Sequence, residues 1–280
     1  MNKKICIVRI FLALSILLLI VVTAAFYSPI TPCETMELPQ TVRTRAQRQA
    51  ARNIFDVISH FYTVETPFAT IRFTEPDSAF IPAINSIVSM FYPALLNDFD
   101  LTLNNAGRMY IIVFPDQQTL EAAMGRRYSH VPMGVFFAGI INISSPTMWA
   151  TGNEDEILER FTLEGPVLHE IVHFVLDVKT NGNYPRWFTE GVALFYEYKY
   201  TAFEWRPDLR YAAAQLCAVE VTTNFRYLCV LISYRKVFDI IANYVNIHGE
   251  VGLQEIITEL GRGTPHDEVL AAVLSEYVRH

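Results

Sequence analysis

The 280-residue sequence predicts an α+β fold, with a small mixed sheet and helices in its N-terminal half packed on a mainly helical C-terminal half. Three observations predict it. RMYIIVF at 108–114 is apolar and β-branched, and GVFFAGIINIS at 134–144 is a second strand-forming stretch; both fall in the first half. From residue 161 onward the apolar residues recur at helical spacing instead. With 51% hydrophobic residues, the chain carries enough apolar mass for one sizeable domain, 42–280, built from subdomains at 42–160 and 161–280.

The chain begins outside that domain. MNKKICIVR carries Lys3, Lys4 and Arg9, and residues 10–27, IFLALSILLLIVVTAAFY, carry no charge. A helix of that length, at about 1.5 Å per residue, nearly crosses a hydrocarbon core about 30 Å thick. Positive charge before the apolar run keeps the short N-terminus in the cytoplasm and sends the rest across. Residues 1–27 therefore read either as a single-pass signal anchor or as a signal peptide cut near Thr23-Ala24-Ala25, which leaves a secreted protein. The length of the apolar run favours the anchor. Residues 28–41 read as a linker, and Cys33, in ITPC, lacks a lipoprotein context. Net charge is −7 with no basic run, which excludes an electrostatic footprint for nucleic acid. In an exported chain Cys217 and Cys229 read either as a disulfide or as two buried thiols. No cysteine pair has CxxC spacing, so a cysteine zinc site is not expected.

The elements follow in order. TRAQRQAARNIFDVISHFYTV, 44–64, predicts a helix, and ATIRFTE alternates like a strand. SAFIPAINSIVSMFYPALLNDF predicts a helix bent at Pro82 or Pro93. PDQQTLEAAMG predicts a short helix capped by Asp116 and stopped by Gly125. PVLHEIVHFVLDVK begins with Pro166 and stops before Asn181-Gly182. WFTEGVALFYEYKY is the next helix. SYRKVFDIIANYVNIHG follows, with Tyr234, Val237, Phe238, Ile241, Tyr244 and Val245 on one face. VGLQEIITELG and PHDEVLAAVLSEYV complete the set, the last capped by Thr264 with Pro265 just inside.

The chemistry lies in HEIVH. His169 and His173 are four residues apart, so on a helix they project from one face and can reach one ion. Zinc takes nitrogen and oxygen ligands, and a catalytic zinc keeps three protein ligands and one place for water. Glu170 lies to the side, where a carboxylate can take that water's proton. Val167, Leu168, Ile171, Val172, Phe174, Val175 and Leu176 make the helix apolar nearly all round and so predict its burial. Two histidines and a glutamate buried there cost several kcal/mol unless satisfied, and a metal satisfies all three. The bland alternative is a helix with one packed and one exposed histidine. For the third ligand, Glu190 follows His173 by seventeen residues, in PRWFTEGVALFYE. Antiparallel packing of this helix on the HEIVH helix, across the loop at Asn181–Pro185, would bring Glu190 to the histidines, and Gly191 and Ala193 would permit the close approach. The alternative for Glu190 is a surface carboxylate near a helix N-terminus.

HEIVH followed by WFTEGVA resembles the gluzincin metallopeptidases, more narrowly the bacterial peptidase MA-like family with its HExxH and W-[LF]-x-E-G-[ILV]-A motifs. The resemblance covers roughly residues 50–280 and implies a thermolysin-like zincin core. It also implies Zn2+ held by His169, His173 and Glu190, with Glu170 as catalytic base. Tyr234, in ISYRK, matches a tyrosine that would donate to the oxyanion; its alternative is a core aromatic. Thermolysin-type sites carry an acid four residues after the ligand glutamate, and here that position is Leu194. Asp177 and Glu197 are then the candidates for orienting the ligands, and the favoured alternative for each is a solvated or capping charge. The absence of a GxMEN-like segment near 134–144 argues against an aminopeptidase. Gluzincins commonly run an edge strand past the zinc, and the expectation here is the strand around Gly139–Ile143, with Ile141→Pro raising KM.

The function so implied is an exported zinc metallopeptidase acting on peptide or protein substrates, with no nucleic-acid partner. The alternatives are a catalytically silent binding module of the same fold and a zinc amidase acting on cell-wall peptides. An intramembrane protease is excluded by topology, because the sequence shows a single long apolar span, far from HEIVH. Oligomeric state is not encoded in any feature of the sequence.

Overall fold

The structure, a computed structural model, describes residues 42–225 and 228–279. The apolar segment 10–27, the linker 28–41, Cys6 and Cys33 lie outside the described residues. The chain divides into two compact units whose boundary falls between Phe174 and Val175, later in the sequence than the composition shift at 160/161.

The first unit is α+β. Helix α1 (Arg45–Val57) opens on a capping box in which the Thr44 hydroxyl accepts from the Gln47 amide at 3.0 Å. The Gln47 side chain in turn accepts from the Thr44 amide at 2.9 Å. The helix predicted to run to residue 64 ends at 57, and its last residues become strand β1 (Tyr62–Glu65). Tyr62, Thr63 and Val64 are aromatic and β-branched, and their backbone pairs antiparallel with β2 (Ala69–Phe73), Tyr62 opposite Phe73. Helix α2 (Ile81–Asp98) follows a 3-10 turn at Glu75–Phe80. Pro82 sits in its first turn, where no amide donor is needed, so it starts this helix; Pro93 lies inside. The Glu75–Asp98 stretch is long and apolar enough to cross a membrane, a second such segment that the sequence reading did not count. Two-thirds of its most apolar window is buried (67%), and Ile84, Val88, Tyr92 and Leu95 are fully buried, which makes it a core helix.

A short helix α3 (Leu103–Ala106) leads into β3 (Met109–Phe114). Helix α4 (Gln117–Met124) is capped by Asp116, which accepts from the Thr119 amide at 2.8 Å, and ends on left-handed Gly125, both as predicted. GVFFAGIINIS is two strands, β4 (Gly134–Phe137) and β5 (Ile140–Ser144). Between them Ala138 and Gly139 take φ 52° and 76°, the two left-handed residues that a tight hairpin turn requires. Burial of Ala138 in the cluster of Ile54, Phe55, Ile112, Phe114 and Ile140 offsets its strain, of about 1–2 kcal/mol. The sheet order is β1-β2-β3-β5-β4, parallel at β2–β3 and β3–β5 and antiparallel at both ends. This corrects the edge-strand expectation. β5 is interior and Ile141 is fully buried, so Ile141→Pro would break the sheet; the edge strands are β1 and, beside β5, β4. Helix α5 (Glu154–Glu164), unanticipated, starts on a capping box between Asn153 and Glu156 and buries only Phe161.

Helix α6 (Val167–Thr180) runs across the boundary of the units. The Pro166 carbonyl accepts from the Glu170 amide at 3.0 Å, and Asn181 and Gly182, with φ 54° and 74°, end the helix where the sequence predicts. In the second unit α7 (Arg186–Thr201) is followed by the short helices α8 (Arg210–Ala214) and α9 (Ala218–Asn224). The helical run α10 (Val230–Gly261) is broken at Gly249 (φ 70°, ψ 176°), which keeps the two predicted helices distinct. α11 (His266–Arg279) starts just after Pro265, whose carbonyl accepts from the Glu268 amide at 3.0 Å. A Cβ on Gly191 would lie 2.7 Å from the Val237 carbonyl oxygen and 2.7 Å from Ile241, so this glycine lets α7 and α10 touch backbone to backbone. Cys217 and Cys229 are both free and exposed, which corrects both readings of that pair.

Candidate metal centre

α6 is buried along most of its length, as its composition predicts: Val167, Ile171, Val172, Val175 and Leu176 are fully buried and Phe174 nearly so. Within this apolar wall Glu170 (4% exposed) and His173 (7%) are buried, while His169 is half-buried. The helical i, i+4 spacing sets the two imidazoles edge to face, centroids 4.7 Å apart and planes at 83°. One ligand atom each from His169, Glu170 and His173 lie within 4.8 Å of one another. The donor set fits a divalent metal: two imidazoles supply nitrogen ligands and the carboxylate beside them supplies negative charge. This group could hold a metal ion.

The edge strand β4 begins against this group. A Cβ on Gly134 would lie 2.7 Å from Glu170 Oε1, 2.9 Å from Glu170 Cγ and 2.8 Å from Pro166 Cβ. Gly134 thus leaves the space that the Glu170 carboxylate occupies. Phe136, two residues on and on the same face of β4, packs edge-on to Phe174 of α6 at 6.3 Å.

The remaining predicted residues lie in the second unit. Glu190, 7% exposed on α7, accepts a 3.2 Å hydrogen bond from Arg186 Nε one turn earlier. Arg186 Nη2 also donates to the Tyr234 hydroxyl at 3.3 Å. Burial, reinforced by the Glu190 carboxylate beside it, pushes the Tyr234 phenol well above its ordinary range, so at neutral pH the hydroxyl keeps its proton. Phe225 stacks on the Tyr234 ring at 5.6 Å and 23°, and Trp205 packs at 6.1 Å from it. Asp177 is buried and accepts from the Tyr184 hydroxyl at 3.0 Å, a bond that fastens the turn after α6. Glu197 is half-buried on α7.

The structure therefore brings His169, Glu170 and His173 together, and within the second unit it gathers Glu190 and Tyr234 about Arg186. Sequence reasoning overlooked Arg186 and Gly134. The signal for Arg186 was a cation in the first turn of a helix, the end that favours anions. The signal for Gly134 was a glycine opening a strand-forming run. The chain matches no known protein-family profile and no curated protein.

Proposed function

We propose that this protein is an exported zinc-dependent metallopeptidase, held at the membrane by residues 10–27 and hydrolysing peptide bonds outside the cytoplasm. The observation that carries the reading is the convergence of His169, Glu170 and His173 within 4.8 Å on an otherwise buried helix. In this reading His169 and His173 hold the metal and Glu190 is the third ligand. A zinc ion so bound supplies Lewis acidity, polarising the scissile carbonyl and acidifying the attacking water.

The protein's own groups do the rest. The Glu170 carboxylate takes the proton of the attacking water and delivers it to the departing amine nitrogen, acting as base and then as acid. Its burial beside Gly134 supports this role, because a carboxylate fixed by packing loses little orientation on the way to reaction. The Tyr234 hydroxyl donates a hydrogen bond to the negative charge developing on the carbonyl oxygen, which requires the protonated phenol that burial maintains. The open side of the edge strand β4 offers backbone donors and acceptors to an extended peptide.

The test is metal analysis and peptidase assay of the purified chain. Wild type should carry about one zinc per chain, the stoichiometry of a mononuclear site. Glu190→Ala should lose or weaken it. Glu170→Gln should retain zinc while its kcat falls about 10²–10⁴-fold. Full zinc occupancy in Glu190→Ala would mean that another residue is the third ligand. A metal-free, inert wild type would exclude the peptidase reading altogether.

A further inference from the structure

Arg186 breaks a local rule. It occupies the first position of α7, where the helix dipole already presents positive charge and a cation is disfavoured. The first turn holds no acidic residue, and the cap, Pro185, makes no side-chain hydrogen bond. The Arg186 side chain is 53% exposed, whereas its partner Glu190 is 9% exposed, so the guanidinium reaches outward from a buried carboxylate. Nε donates to Glu190 at 3.2 Å and Nη2 to the Tyr234 hydroxyl at 3.3 Å, both long bonds. Among the described residues Nη1 has no hydrogen-bond partner, so three of the five N–H groups of the fork remain available. The Phe225 ring lies under the guanidinium carbon at 5.9 Å and holds the plane in place.

We propose that Arg186 sets substrate specificity by receiving a carboxylate of the peptide, through the outward edge of a guanidinium anchored by Glu190, Tyr234 and Phe225. A planar fork with free donors in the positive field of a helix start matches a carboxylate in both charge and shape. The carboxylate is either the C-terminus of the peptide or an Asp or Glu side chain. This proposal rests on the peptidase reading and names the substrate class for it.

The test uses the full chain carrying Glu170→Gln, so that peptides bind without being cut. Three peptides share one sequence: a free C-terminus, a C-terminal amide, and the amide with one neutral residue replaced by Glu. Affinities are measured by titration calorimetry, with and without Arg186→Ala. With Arg186 present, a carboxylate peptide should bind about tenfold to a hundredfold more tightly than the plain amide, the range of a charge-assisted hydrogen-bonded pair. The Arg186→Ala variant should erase that preference, its ratio of carboxylate-peptide to amide affinity falling to about one. Arg186→Lys, which keeps the charge without the fork, should retain part of it. Comparing the free-acid and Glu peptides identifies which carboxylate is read. Equal affinity for all three peptides overturns the proposal. An equal loss for acid and amide in Arg186→Ala also overturns it, and leaves Arg186 as a holder of Glu190. Binding of none of the peptides overturns it as well; if the wild type then holds no metal and cuts no peptide, the peptidase reading falls with it. A wild type that cuts acid and amide peptides alike overturns only the specificity.

Discussion

Gly134 has no side chain because Glu170 and Pro166 occupy the place where one would go. Gly134→Ala should push the Glu170 carboxylate aside or strain β4 by about 1–3 kcal/mol. Under the proposed peptidase function, the expected result is a kcat at least about tenfold lower with zinc content unchanged, since a small misplacement of a catalytic group costs that much. Normal kcat in the folded variant would show that Glu170 gives way without consequence, and would weaken its role as a fixed base. At this scale the sequence was most informative where chemistry imposes spacing. The grouping of His169, Glu170 and His173 was legible because two residues four apart on a helix share one face. Arg186 and Gly134 were not, because their significance lies in what the fold sets beside them: a tyrosine 48 positions away for one, a glutamate on another element for the other.

Between elements, α7 and α10 approach backbone to backbone at Gly191. Gly191→Ala would drive a methyl into the Val237 carbonyl, which is backbone and yields only if the helices part. The expected cost is about 1–3 kcal/mol in urea unfolding, with an unchanged denaturant slope. A loss below about 0.5 kcal/mol would mean the helices adjust freely, since that is the range of an inert substitution. The sequence reading valued Gly191 for packing against the HEIVH helix, whereas the approach that it permits is to the helix carrying Tyr234. Helices with strong punctuation, such as α4 between Asp116 and Gly125, were legible to the residue. The splitting of 134–144 into a hairpin was not, because Ala-Gly lacks the Asn-Gly signal and the left-handed Ala138 is held by tertiary burial. Likewise β1 was hidden by the amphipathic helix before it, and only its pairing with β2 makes it a strand.

For the molecule as a whole, the α+β class and the helical second half were legible from periodicity, whereas the unit boundary was not, since it falls inside α6 and no composition shift marks a cut within a helix. In the second unit the buried Arg235 binds Asp239 on its own helix and reaches Glu204 at 2.7 Å and the Trp205 carbonyl at 2.8 Å, fastening the segment after α7 onto α10. Burial alone would raise the Glu204 pKa, but its bonds to Arg210 and Arg235 outweigh that and hold it below 4.5. Because the folded value is the lower one, this stabilisation is complete above about pH 4.5, the ordinary glutamate range, and is lost as pH falls through the folded value. Urea midpoints at pH 7 and pH 3 should therefore fall further in wild type than in Glu204→Gln; parallel declines would remove Glu204 from the acid response. The break at Gly249 has a different reach. Its φ of 70° with ψ of 176° is a conformation open essentially to glycine, and any other residue there costs about 1–3 kcal/mol. The relief available to such a variant is to straighten the run into one rod of 32 residues, about 48 Å long. A compact unit of this size has a radius of gyration near 13 Å, too small to fold that rod's far end back onto itself. The displaced end and α11 could then complete only a second molecule, so Gly249→Ala should trade monomers for reciprocally exchanged pairs as concentration rises, visible as a shift in elution volume.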